Sequence, residues 1–321
     1  MAKRLSIEAK LAQLNELDGL DEARLAPDSV KMLRQTMAGA NNILVAKAAK
    51  IAGRRGIDEL IPALLAAFDR FMKKPVKSDK GCLAKEAVID ALDKLEYDRT
   101  DIFLRGIKHE QIEPAYLRPV DTAAVMRGKC AFALVRLGSP DIVFELTDLL
   151  ADPEPQARIA AARALAGVSG EQGEPLLRLK AKLGDDDLQV VVECLSVLMQ
   201  INPERSMTFV EAFLNSTDLI IAENAAFALA ESRREEAFEV LRRHRESNMD
   251  PVFQDMLLTP MAITRLEEAF DYLLDVIENG NRESAVDAVR AVKIFSDEGH
   301  RSRIHAAVTS RNDPEIALGE K

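Results

Sequence analysis

Apolar and polar positions along this chain follow a helical beat broken into short blocks, clearest between Asp152 and Asp185. There Ala161, Ala164, Leu165 and Val168 fall at spacings of 3, 1 and 3, the apolar stripe of one helix. Gly167, Ser169 and Gly170 stop that helix. A second helix is predicted to use Leu176, Leu177, Leu179 and Leu183 as its apolar face before Gly184 ends it. Asp152–Pro153 is read as the helix start, because the carboxylate can accept from first-turn amides and Pro there loses no useful donor. A single such hairpin cannot cover its own apolar face, so it needs neighbours stacked on both sides.

The same pattern recurs. The four slots are filled by Val88/Ala91/Leu92/Leu95, Cys130/Ala133/Leu134/Leu137, Cys194/Val197/Leu198/Ile201, Ala225/Ala228/Leu229/Ser232 and Ala288/Ala291/Val292/Phe295. The Leu slot steps from 134 to 165, 198 and 229, giving periods of 31, 33 and 31 residues. From 229 to 292 the step is 63, leaving room for a degenerate unit around Phe253, Leu257 and Met261. Asp79, Asp121, Asp152 and Asp185 each stand 13 residues before a Leu slot, with Asp218 and Asp250 out of phase. Two independent signals therefore share one period.

The run R-I-A-A-A-R-A-L-A-G, with its echoes R-G-K-C-A-F-A-L-V-R-L-G and A-E-N-A-A-F-A-L-A, resembles the short HEAT-like repeats also found in bilin lyases. The resemblance implies an all-α fold, an α-solenoid (superhelix) of about seven to eight hairpins whose second helices line one curved face. Residues 1–40 are expected to cap it, 41–310 to form the repeats and 311–321 to be a tail. Within the cap, Leu5, Leu11, Leu14 and Leu17 suggest one helix and Val30 to Met37 another. The functional reading that follows is a non-catalytic scaffold that binds a protein partner, as a monomer or weak dimer. Its rivals are a ligand-handling protein or enzyme of the bilin-lyase type, and a DNA-binding protein resembling the HEAT-like glycosylases.

Charge and composition narrow these choices. A formal charge of −10, a pI of about 5.1, no Trp and three Tyr argue against a nucleic-acid groove, which needs cations and aromatic platforms. Residues 1–80 nevertheless carry 15 Lys/Arg against 10 Asp/Glu, leaving the rest of the chain at −15. Cys82, Cys130 and Cys194 lack metal spacing, and the latter two occupy a slot elsewhere filled by Ala, so they read as small buried residues in a reducing, cytoplasmic protein. No apolar run is long enough to cross a membrane. No Gly-rich phosphate loop, Ser/His/Asp set or HExxH helix is present, and no cofactor or metal is expected.

Two connections are lengthened. The segment 73–81 with Lys73 and Lys74, near Arg54 and Arg55 in sequence, is either a solvated loop or a basic patch for phosphate or an acidic partner. The segment 106–119 brings His109, Glu113, Tyr116 and Arg118 together. His109 and Glu113 stand at i,i+4, a metal-compatible spacing on a helix, but Pro114 makes a continuing helix unfavourable. The alternatives are a loop hydrogen-bonded to the solenoid edge and a partner-recognition loop. On the recognition reading, removing His109 and Glu113 should abolish partner capture and leave melting unchanged.

Overall fold

The computed structural model describes residues 6–20, 25–116, 118–168 and 170–313. Leu5, Leu117, Ser169 and the tail from Pro314 lie outside the described residues. The fold is all-α, built from stacked helical hairpins of the α-solenoid type, and the chain divides into two compact units, Met1–Val168 and Ser169–Lys321.

In the first unit, α1 (Ile7–Asp18) and α2 (Pro27–Met37) pack on α3 (Asn42–Arg54). The first helices of successive hairpins, α3, α6 (Leu83–Lys94), α8 (Ala124–Arg136) and α10 (Pro155–Ala164), then stack one on the next. Their partners are α4 (Ile61–Met72), α7 (Asp101–Ile107) and α9 (Ile142–Leu150), with a short α5 (Pro75–Ser78) between α4 and α6. The stack is close because small residues face each other. A Cβ on Gly53 would stand 2.7 Å from the Ala91 Cα, and one on Gly128 2.5 Å from the Ala160 Cβ. The predicted slot residues Val88, Ala91, Leu92, Cys130, Ala133, Leu134, Ala161, Ala164 and Leu165 are all buried.

The repeated Asp differs from expectation in a way that explains its two phases. Helix α10 starts at Pro155, not Pro153, and the Asp152 Oδ1 accepts from the Glu154 amide at 2.9 Å, one turn-forming bond ahead of the helix. Asp121 and Asp185 likewise accept from the amides two residues on, Ala123 and Asp187. In the second unit Asp187, Asp218 and Asp250 are side-chain N-caps, as are Asn202, Asn281 and Asp297. Asp187 and Asp218 stand 11 residues before their Leu slots. Two different jobs, two residues apart, produced one blurred signal.

A companion position was not predicted at all. Seven residues before the Leu slot stand Lys85, Arg127 and Arg158, all buried. In the second unit the same position holds Val191, Ala222 and Ala285, also buried. Buried cations thus run through the first unit's stack and give way to apolar groups in the second.

The lengthened segments are not simple loops. Residues 73–81 form α5 and lead into a 3-10 turn over Lys80–Cys82, with Gly81 at φ 73°. Residues 106–119 contain no i,i+4 helical face: after α7 the chain forms β1 (Ile112–Glu113), paired antiparallel to β2 (Val120–Asp121). Ile112 stands opposite Asp121 and Glu113 opposite Val120. The proline, together with the buried acceptors described below, favours the ribbon over a continued helix.

The second unit comprises α11 (Gly170–Leu183), α12 (Leu188–Ile201), α13 (Pro203–Glu211), α14 (Leu219–Glu231), α15 (Glu235–Ser247), α16 (Pro251–Met256), α17 (Leu258–Ile263), α18 (Glu267–Asn279), α19 (Arg282–Val292) and α20 (Glu298–Arg311). First helices α12, α14, α17 and α19 stack in order. The degenerate repeat exists, with Phe253, Leu257 and Met261 buried. Its helix breaks at Leu257, ahead of Pro260, which sits in the first turn of α17 where its missing amide costs nothing. In α18, Phe270, Leu273, Val276 and Ile277 are core against α19 and α20. In α11 the expectation fails for two residues. Leu177 and Ala181 make the core contact, while Leu179 and Leu183 are 56% and 75% exposed, because i,i+4 pairs lie on one face and only one face of α11 is covered.

Candidate functional site

The cationic residues near the N-terminus are engaged with the first helix. Arg54 pairs with Asp18 at 2.9 Å, joined there by Lys47 at 2.7 Å. Arg55 donates to the carbonyl oxygens of Leu17, Asp18 and Leu20, the free acceptors at the end of α1. Arg70 does the same for Met37 and Gly39 after α2. Lys73 and Lys74 are exposed at the junction of α4 and α5. Arg54 and Arg55 therefore tie the cap to α3, though Arg54 stays 58% exposed, while Lys73 and Lys74 are turned to solvent.

The ribbon and the 73–81 segment meet in a buried polar network. Lys85, fully buried, donates to the Asp79 Oδ2 at 3.0 Å and the Gln111 Oε1 at 2.7 Å. The Gln111 amide donates to the Asp79 carbonyl at 2.8 Å and the Glu113 Oε1 at 2.6 Å. That oxygen also accepts from the Gly81 N–H at 2.7 Å and the Thr122 hydroxyl at 2.9 Å. Burial would raise the Glu113 carboxyl, but these donors outweigh it and hold it below the usual range. Asp79 meanwhile accepts from the Ala84 and Lys85 amides and holds the start of α6. Arg127 completes the lattice. It meets Asp121, donates to both oxygens of Asp152 at 2.8 Å and to the His109 carbonyl at 3.0 Å. Burial alone would lower this guanidinium's pKa, yet its hydrogen bonds to Asp152 and Asp121 carry it above the ordinary value.

The four residues singled out in the ribbon segment therefore separate. Glu113 faces inward as a bracket between segments. His109 is half-buried, and burial, followed by the Lys85 charge, lowers its pKa and favours the neutral imidazole. Tyr116 is wholly exposed at the ribbon's end and Arg118 is exposed beside it. No group of three or more potential metal ligands occurs among the described residues. The thiols are poor nucleophiles: burial pushes Cys82 and Cys194 up to about 12 and raises Cys130 well above the usual thiol value.

In the second unit, α14, α16, α17 and α19 enclose a groove of about 1010 Å³. Its apolar lining is Leu219, Phe227, Val252, Met256 and Val286, with Val252 64% exposed. Four carboxylates, Glu223, Asp255, Glu283 and Asp287, line it against two guanidiniums, Arg282 and Arg290. Arg290 is held by Asp287 at 2.8 Å and Arg282 by Asp313 at 3.3 Å. Asp255 accepts from the Ser284 hydroxyl. Glu223 and Glu283 have no cationic partner among the described residues. None of these apolar residues falls in a repeat slot, so the periodicity of the chain gave no sign of the groove.

No family model matches the chain, and no curated protein matches it. An engineered protein is 17% identical over 99% of this chain and 95% of its own, with a TM-score of 0.38. Human deoxyhypusine hydroxylase in complex with glycerol is 17% identical over 82% of this chain and 92% of its own, with a TM-score of 0.32. The complex of CpcE and CpcF of phycocyanin lyase from Nostoc sp. is 15% identical over 91% and 97%, with a TM-score of 0.36. The stacked-hairpin fold rests on the repeat slots and helix pairings of the chain itself.

Proposed function

We propose that the chain is a non-catalytic, protein-binding scaffold whose groove across α14, α16, α17 and α19 takes an apolar, lysine- or arginine-bearing segment of a partner. The observation that carries this reading is the groove's lining: exposed Leu219 and Val252 over a half-buried apolar floor, rimmed by carboxylates of which Glu223 and Glu283 lack cations. An exposed apolar strip bordered by like charge favours an amphipathic segment of opposite charge, with apolar anchors supplying affinity and the rim supplying orientation.

The test is fluorescence anisotropy of the full chain with a labelled peptide of leucines and lysines at helical spacing, alongside the same peptide with glutamines for lysines. Saturable binding that falls about tenfold or more in Glu223→Lys/Glu283→Lys, and in the glutamine peptide, is expected. Equal binding of both peptides, or binding untouched by the double variant, would overturn the proposal.

A further inference from the structure

The opposite sign of charge is collected elsewhere in the second unit, on helices α11 and α13 and the 3-10 turn over Ala212–Asn215. There Arg178, Lys182, Arg205, Thr208, Phe209, Ala212 and Phe213 surround an open pocket of about 560 Å³. Three of these seven residues are cations in a chain whose net charge is −10. The two phenylalanine rings lie 5.4 Å apart, tilted and half-buried, so each presents part of its surface to solvent. Arg178 lies over the Phe209 ring at 4.8 Å and Lys182 near it at 6.0 Å.

The pocket is built, and its charges are unequal in freedom. Glu174, buried beneath it, accepts from the Arg178 Nε at 2.9 Å and pairs with Arg205 at 3.5 Å. Arg178 donates in addition to the Arg205 carbonyl at 2.6 Å, which fixes its plane against Phe209. Arg178 is thus a fixed wall. Arg205 shares the single carboxylate, and Lys182 has no carboxylate partner among the described residues. Beside this cationic wall run Leu179 and Leu183, the two leucines of α11 that find no core. One turn of helix separates each member of the pairs Arg178/Lys182 and Leu179/Leu183, so α11 offers a basic ridge and an apolar ridge side by side.

We propose that this surface binds an acidic amphipathic peptide segment of a partner protein, distinct from the basic segment proposed for the groove. The partner's apolar side chains pack on Phe209, Phe213, Leu179 and Leu183, and its carboxylates meet Lys182 and Arg205. Charge complementarity selects this occupant. A neutral apolar segment would leave Lys182 without a partner, whereas a carboxylate at helical spacing from an apolar anchor satisfies both ridges of α11 at once. A single-stranded nucleic acid is less well matched, because Arg178 already occupies the face of Phe209 on which a base would stack.

The experiment uses the full chain and a fluorescein-labelled peptide of about four helical turns with leucines and glutamates at helical spacing. Its comparators are a glutamine version, a version with alanines for leucines, and a labelled oligothymidine. Saturable binding of the glutamate–leucine peptide is expected, weakened about tenfold or more in Lys182→Glu/Arg205→Glu, whose side chains are exposed, and similarly in Leu179→Ala/Leu183→Ala. The groove variant Glu223→Lys/Glu283→Lys should leave this binding unchanged, which keeps the two surfaces separable. Absence of saturable binding, or equal binding of the glutamine peptide, would overturn the proposal. So would tighter binding of the oligothymidine, and so would insensitivity to the Lys182/Arg205 reversal.

Discussion

Replacing Arg127 by Met should be among the most damaging single changes in the first unit. The Arg127 side chain is 3% exposed, between Asp121 at 6% and Asp152 at 10%. Its three bonds to those carboxylates, each charge-assisted and so about 1.5–3 kcal/mol, amount to about 5–9 kcal/mol gross. Part of that is retained after the change, because Asp121 keeps the Gln111 and Ala123 amides and Asp152 keeps that of Glu154. A net loss of about 3–5 kcal/mol, typical of a buried ion set broken on one side, is therefore expected. In a unit of this size that corresponds to a fall in melting temperature of about 6–20 °C. Urea unfolding followed by circular dichroism, with limited proteolysis at the ribbon as a local probe, measures it. Arg127→Lys should recover only part of the loss, since an ammonium cannot bind Asp152 through two fixed donors. The triple variant Arg127→Met/Asp121→Asn/Asp152→Asn should be more stable than Arg127→Met alone, because no buried charge is left unpaired. A loss below about 1 kcal/mol, or a triple variant no better than the single, would refute this account of the lattice.

Further outcomes follow from other contacts. The His109→Ala/Glu113→Ala variant should melt lower than the native chain, because Glu113 brackets Gly81, Gln111 and Thr122; an unchanged melt would show that the bracket carries no stability. Tyr116→Ala, by contrast, should leave unfolding within about 0.5 kcal/mol of native. Gly53→Val should cost about 1–3 kcal/mol or more by forcing α3 away from Ala91, read as a lower urea midpoint. The two ring nitrogens of His300 face the carboxylates of Asp297 and Glu267, to both of which the protonated ring donates, and the Asp297 hydrogen bond raises its pKa. Its contribution is fully present below the ordinary value of about 6.5 and is lost as pH rises through the raised one, so His300→Gln should flatten the fall in melting temperature over that interval. Asp121, held below the usual carboxylate range chiefly by the Ala123 and Gln111 amides and Arg127 against the pull of burial, behaves oppositely. Its contribution is present above its unfolded pKa and is lost as pH falls through the folded one, so acid should open the first unit's ribbon first, by hydrogen exchange.

The helical stack was legible because its signal is redundant. A slot such as Leu92, Leu134 or Leu165 must be apolar whatever its local neighbours are, and the stacking period writes that need into the chain repeatedly. The ribbon was not legible, because two two-residue strands carry no periodicity, and their cause lies in Gln111 and Glu113 finding partners far away in sequence, at Asp79, Gly81 and Lys85. Buried polar networks are specified by pairs, and a single sequence shows only the members. One clue was available: a cation six residues after Asp79, Asp121 and Asp152, a spacing that no solvated helix face requires three times over.

The two surfaces proposed to bind partners were hidden for a different reason. Periodicity assigns an apolar residue to a helix face but does not say whether a neighbour covers that face. Leu177 and Leu179 look alike in sequence, yet the first is sealed by the stack and the second stands in solvent beside Lys182. In a repeat stack the cover comes from the adjacent hairpin, so an apolar residue off the stacking face, such as Leu179 or Leu183, stays in solvent. The groove lies at the broken α16–α17 repeat, where the step between Leu slots doubles, and the cationic pocket lies beside α13, whose last turn tightens to 3-10 geometry before α14. An irregular repeat is thus one place where this fold can release apolar surface without losing its core. On the proposed reading charge then decides the use of each: carboxylates around Val252 would select basic partners, and cations around Phe209 acidic ones.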